Sequence, residues 1–81
     1  MAQIQEVHLM HPDELSLHPE ALSTPRMSEV AYEALKRDIE MQGQLEPVIA
    51  YRGKICDGRH RWLIIRELKL EEIKVIKLPN N

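Results

Sequence analysis

Lys54-Ile55-Cys56-Asp57-Gly58-Arg59-His60-Arg61-Trp62-Leu63-Ile64-Ile65 is the stretch that decides the fold of this chain. Its pattern predicts a short strand, a glycine turn, and a helix that begins near Arg59 and ends near Leu68. A glycine before a helix leaves the first-turn N–H groups accessible, and the helix dipole adds partial positive charge at that end. Arg59, His60 and Arg61 add further charge, although cations are unusual at a helix N-terminus. The pattern predicts a phosphate site, and the alternative is a solvated helix start that is basic by chance.

The segments around this stretch predict a single α+β domain spanning residues 1–81, with a small mixed sheet and two main helices. Ser28 is placed to cap the first helix, and Gly43 is placed to end it. Residues 10–27 contain three prolines and are expected to be irregular. The predicted elements are a strand within 4–9, a helix at 28–42, a hairpin of strands at 47–51 and 54–56, and a last strand within 73–78.

Composition narrows the class of protein. The 81 residues have 43% apolar content, which is ordinary for a small globular domain, and no run is long enough to span a membrane. No signal peptide is visible, and the single cysteine excludes an internal disulfide, so a cytoplasmic location is expected. No Cys/His cluster has zinc spacing, and no metal site is expected.

Residues 47–81 hold eight Lys/Arg against four Asp/Glu (net +4), whereas residues 1–46 hold three against nine (net −6). This asymmetry favours an anionic ligand near Gly58.

Several motifs together resemble the N-terminal domain shared by ParB partition proteins and sulfiredoxin. The resemblance covers nearly the whole chain and includes a glycine, a proline, a strand, a hairpin and a Gly-x-(His/Arg)-Arg helix start. The matching stretches after the opening strand are Leu15-Ser16-Leu17-His18-Pro19, Leu35-Lys36-Arg37-Asp38-Ile39, Gly43-Gln44-Leu45-Glu46-Pro47-Val48, and Ile55 through Trp62.

The resemblance implies a nucleotide site and a nucleoside triphosphate ligand, CTP or ATP, with or without bound Mg²⁺. By position it assigns phosphate contacts to Gly58, His60 and Arg61, with Arg59 nearby. The His-Pro loop adds three further candidates for the nucleotide pocket: His18, Glu20 and Arg26.

Two departures from the family pattern limit what is carried over. ParB-type domains typically have glutamine where this chain has Glu46, so base or ribose recognition need not be conserved. Sulfiredoxin has its catalytic cysteine directly before the His-Arg pair, where this chain has Arg59. Reductase chemistry is therefore not expected, and Cys56 is interpreted as a small core residue.

Three classes of function remain open. The leading hypothesis is a small regulatory module that binds a nucleotide or phosphate. The second is an enzyme that hydrolyses or transfers phosphate through Glu20 or Glu46 as base, or a ParB-like nuclease. Asp57 also lies beside the basic turn, but it is expected to cap the helix instead of holding a metal. The third is a domain that binds a protein partner and has lost the ligand.

The domain organisation also leads to expectations about DNA binding, biological source and self-association. Partition proteins continue into a DNA-binding domain, which this sequence does not contain, so specific DNA binding is expected to be weak or absent. A stand-alone domain of this type is typical of a phage, a plasmid or another mobile element. The second helix is apolar around most of its girth, which favours burial or a homodimer interface. Tyr32 and Trp62 have helical spacing and are expected to belong to the core.

Overall fold

Five strands form one mixed sheet, and two α-helices supply the rest of a single hydrophobic core. The computed structural model describes residues 6–19, 21 and 26–79. The strands are β1 (Val7–Met10), β2 (Ser16–Leu17), β3 (Val48–Tyr51), β4 (Lys54–Asp57) and β5 (Ile73–Lys77), and the helices are α1 (Glu29–Gln42) and α2 (Arg59–Glu67). The sheet order is β1-β5-β3-β4-β2. The predicted α+β class, mixed sheet and two main helices are confirmed.

Local signals fix the ends of α1 and the hairpin as predicted. The Ser28 hydroxyl accepts a hydrogen bond from the Ala31 N–H at 3.2 Å, and Gly43 ends α1 with a φ of 78°. Arg52 and Gly53 both have positive φ, as a two-residue turn that matches the twist of the strands requires. Strand β3 then pairs antiparallel with β4 and parallel with β5.

The segment expected to be irregular is partly ordered. A 3₁₀ turn forms at Pro12–Glu14, where the proline occupies the first turn, and β2 follows it. Strand β2 pairs parallel with β4, so this segment closes the sheet on the side of the candidate site. The sequence did not indicate β2, because two residues of strand leave almost no periodic pattern.

Strand β1 is present where a strand was predicted, but Val7 and Leu9 lie on the open face of the sheet. Their exposed fractions are 50% and 61%. Met10 packs against the core instead. Among the described strands, β1 pairs with β5 alone and lies at the edge of the sheet. The face that carries His8 and Met10 is less exposed than the face that carries Val7 and Leu9.

Three side chains of helix α2 are buried against the rest of the domain. Ile64 and Ile65 are fully buried, and the Trp62 side chain is 7% exposed. The indole N–H of Trp62 donates to the Pro12 carbonyl at 3.0 Å, which satisfies the polar atom of a core residue. The core role predicted for Trp62 is confirmed, whereas Leu63 of the same helix is 36% exposed. No helix in the described part of the chain has the length and apolar content to cross a membrane.

Candidate functional site

Gly58 joins β4 to α2 in a conformation that requires glycine. It occupies the N-cap position with φ 100° and ψ 25°, in the left-handed region. A Cβ atom built there would lie 2.7 Å from the Val48 Cγ1 atom and 3.2 Å from the Val48 Cα atom. The turn therefore packs directly on β3, and it holds the start of α2 in a fixed place above the sheet.

The start of α2 has no side-chain cap within the described residues. The prediction that Asp57 caps the helix is wrong, because Gly58 takes the N-cap position and Asp57 remains the exposed last residue of β4. The N–H groups of His60 and Arg61 belong to the first turn, where a helix has no internal acceptors for them. They point along the helix axis toward its N-terminal end, where the helix dipole favours an anion.

A cleft of about 190 Å³ opens at this end of α2. Its walls come from β4, the turn, α1 and the segment before α1. The lining residues are Ala21, Met27, Leu35, Cys56, Asp57, Gly58, Arg59, His60 and Arg61. The structure thus brings the four residues of the predicted phosphate site, 58–61, to one concave surface.

The three cationic or titratable side chains of this turn point in different directions. The Arg59 guanidinium donates to the Ala21 carbonyl at 3.2 Å. The Arg61 guanidinium donates to the Glu46 carboxylate at 3.2 Å. The His60 Nε2 atom accepts a hydrogen bond from the Met27 N–H at 3.3 Å. The start of α2 is therefore tied to three separate segments of the chain.

Two effects favour the neutral form of His60. Partial burial lowers the pKa of its imidazole below the ordinary value, and the neighbouring Arg59 charge lowers this pKa further. A neutral ring can accept the hydrogen bond from Met27, whereas a protonated ring cannot. The Tyr32 ring lies edge-on to His60, with the two ring centroids 6.4 Å apart. Tyr32 is half-buried, packs against the core and donates its hydroxyl to Glu67 at 3.0 Å, as expected for a residue of the packed helix pair.

Arg26 lies in the same region, and the backbone of His18 pairs with residues beside it. Arg26 lines a second, more open cleft of about 350 Å³, which shares Met27, Arg59 and His60 with the first. The His18 N–H donates to the Ile55 carbonyl at 2.9 Å, and its carbonyl accepts from the Ala21 N–H at 2.9 Å. His18 is half-buried and is not among the described residues that line either cleft.

The two candidate acids differ in what the structure shows. Glu46 is paired with Arg61, and its side chain is 74% exposed. Glu20 lies outside the described residues, so its role stays a prediction. Within the described residues, no group of three His, Cys, Asp or Glu side chains is arranged to hold a metal ion.

Two residues have places that the sequence did not indicate. Cys56 is half-buried beside the cleft, not in the core, because the adjacent Ile55 takes the core position of β4. Gln44 is 8% exposed and acts as a short extension of the sheet. Its amide accepts from the Lys74 N–H at 2.6 Å and donates to the Glu46 and Lys74 carbonyls at 2.9 and 3.1 Å. In the sequence, the position of Gln44 directly after the helix-ending glycine was the only signal.

Comparisons with known proteins establish the fold. No protein-family model matches the chain, and no curated protein sequence matches it. Among solved structures, the Pnob8-like ParB-N domain superposes with a TM-score of 0.82 at 22% identity, covering 100% of this chain and 33% of that one. The C-terminally truncated chromosome-partitioning protein ParB from Caulobacter crescentus, in complex with CTP-γ-S, superposes with a TM-score of 0.80 at 18% identity, covering 94% of this chain and 46% of that one. The chain therefore spans less than half of either protein, and it has a ParB-N-like fold.

Proposed function

We propose that this domain binds a nucleoside triphosphate and holds the phosphates at residues 58–61, with CTP as the first candidate and ATP as the second. The observation that carries the proposal is the start of α2, which has no side-chain cap from any described residue and faces a cleft lined by Arg59, His60 and Arg61. The ParB from Caulobacter crescentus, which shares the fold, was determined with CTP-γ-S, and this supports the choice of ligand.

The chemistry of the turn suits phosphate oxygens. The N–H groups of His60 and Arg61 are donors fixed by the helix, so no side-chain entropy is lost when they bind. Gly58 supplies the left-handed backbone conformation with which the start of α2 is set at the cleft. Arg61 adds a charge-assisted donor from a side chain that is 30% exposed and already at the cleft.

The second cleft offers a place for the nucleoside. It shares Met27, Arg59 and His60 with the first cleft, and we place the phosphates in the first and the nucleoside in the second. Its remaining lining combines apolar side chains, an aromatic ring and a cation: Leu17, Leu63, Tyr32 and Arg26. Apolar and aromatic walls suit a base, and Arg26 suits a polar edge or a phosphate.

The proposal is for a binding module with a regulatory role and without turnover. The carboxylate of Glu46 is engaged by the Arg61 guanidinium, so the oxygen that a general base would use already has a protein partner. Incubation of the domain with CTP or ATP and Mg²⁺, followed by assay of released phosphate, tests this part. Sustained release that is abolished by Glu46→Gln would favour the enzyme instead.

Isothermal titration tests the site. CTP, ATP, GTP and inorganic phosphate are titrated into the wild type and into Arg61→Ala, with and without Mg²⁺. Loss of the charge-assisted contact should weaken the triphosphate by about 10- to 100-fold, corresponding to about 1.5–3 kcal/mol. The matched control is Arg37→Ala, which removes the same charge from an exposed position of α1. Arg66 is unsuitable as a control, because it lies over the Trp62 ring and pairs with Asp13.

Equal losses in Arg61→Ala and Arg37→Ala would show that the turn is not the phosphate site. Absence of triphosphate binding by the wild type would contradict the proposal and favour a domain that binds a protein partner.

A further inference from the structure

We infer that Glu46 is an internal competitor for the phosphate subsite, which sets the nucleotide concentration at which the domain responds. The inference rests on the proposed function and concerns the regulation of the same site. Its basis is the 3.2 Å contact between the Glu46 carboxylate and the Arg61 guanidinium at the edge of the cleft.

The Glu46 carboxylate resembles a phosphate in the way it binds Arg61. A carboxylate and a phosphate use the same guanidinium donors with similar geometry. In the ligand-free domain one of these donors is already occupied by Glu46 Oε2. A phosphate that uses Arg61 must therefore replace this contact before it gains its own.

The fold holds Glu46 at this place. Gly43 ends α1, and the side chain of Gln44 then binds both the Glu46 carbonyl at 2.9 Å and the backbone of Lys74 in β5. Pro47 follows directly and restricts the backbone of Glu46. Since the loop is anchored to the sheet, the carboxylate stays close to the cleft after Arg61 is released. It then repels the bound phosphates, which is a second cost to binding.

The effect is graded and not an absolute block. The Arg61 and Glu46 side chains are 30% and 74% exposed, and solvent screens a pair of this kind. The attraction between two exposed charges about 4 Å apart in water changes an equilibrium constant by about a factor of five. We expect Glu46→Gln to tighten triphosphate binding by about 5- to 10-fold, since it removes both the competition and the repulsion.

A double-mutant cycle separates competition from bulk charge. CTP and ATP affinities are measured by titration for the wild type, Glu46→Gln, Arg61→Ala and the double variant. If Glu46 acts by occupying Arg61, the gain from Glu46→Gln should shrink to about twofold in the Arg61→Ala background. The control is Glu40→Gln, which removes the same charge from an exposed position of α1 and should change the affinity less than about twofold.

The possible outcomes are distinct. Tighter binding by Glu46→Gln that depends on Arg61 supports the inference. Equal or weaker binding by Glu46→Gln overturns it and leaves the proposed function standing. An equal gain with and without Arg61, or an equal gain from Glu40→Gln, also overturns it. Absence of binding by the wild type and by Glu46→Gln overturns both this inference and the proposed function.

Discussion

At the scale of single residues, Gly58 is the glycine with the least room for a side chain. Its φ of 100° strains any other residue, and a Cβ atom would meet Val48 at 2.7 Å. We expect Gly58→Ala to lower the free energy of unfolding by about 2–4 kcal/mol, which combines the backbone strain with a clash against a fully buried side chain. Urea unfolding followed by circular dichroism measures this.

Gly53 provides the matched control for Gly58. It also has positive φ, at 76°, but the nearest atom to a Cβ there is the Glu14 carbonyl at 4.0 Å. Gly53→Ala should therefore cost only the backbone strain, about 1 kcal/mol. Equal losses at the two positions would show that close packing on Val48 contributes nothing.

His60 should make the stability of the domain depend on pH. Its pKa is lowered from 6.5 by burial and by Arg59, so the unfolded chain binds more protons between the lowered value and 6.5. Stability is fully present above 6.5 and is lost as the pH falls through that value toward the lowered pKa. Urea midpoints measured between about pH 7 and 5 should fall in the wild type and fall less in His60→Gln. The exposed His11, replaced by Gln, is the control, and an unchanged slope in His60→Gln would refute this assignment.

At the scale of elements, Gln44 joins the end of α1 to β5. Its side chain pairs with the backbone of Lys74 as another strand residue would. Gln44→Ala leaves these groups and the Glu46 carbonyl without their partner, and should lower the free energy of unfolding by about 1–3 kcal/mol. Gln42→Ala, at an exposed position two residues earlier, should change it by less than about 0.5 kcal/mol. Chemical denaturation of both variants decides this, and equal values would argue against the role given to Gln44.

Local elements were predictable from sequence because their signals are local. Ser28, Gly43 and the Arg52-Gly53 turn set boundaries that depend on residues close in the chain. Strand β2 was missed because its pairing with β4 is parallel and joins residues distant in sequence. The core face of β1 was equally hidden, since Leu9 and Met10 are both apolar and only the pairing with β5 decides which is buried.

The candidate site was predictable in position but not in detail. The glycine turn and the residues after it lie together at a cleft because they are neighbours in the chain. The partners of their side chains are distant in sequence: Ala21 for Arg59, Met27 for His60 and Glu46 for Arg61. No periodicity relates residues this far apart in the chain. The sequence therefore predicted the basic residues of the turn but not their contacts with other parts of the protein.

At the scale of the whole molecule, the start of α2 connects several segments of the domain. Its side chains reach the turn after β2, the segment before α1 and the loop after α1. A ligand that engages this turn competes with these contacts, at least at Arg61. Binding should therefore alter the loop that carries Glu46 as well as the turn itself, and leave the outer face of α1 unchanged.

Amide NMR during a CTP titration tests the central claim most directly, because it reports every backbone N–H of this 81-residue chain at once. The account predicts saturable shifts that are largest at Gly58, His60 and Arg61, with smaller shifts at residues 44–46 and none at the exposed Val30 and Met41 of α1. Saturable shifts centred elsewhere while the start of α2 stays unmoved, or no saturable shift with CTP or ATP in excess, would contradict it.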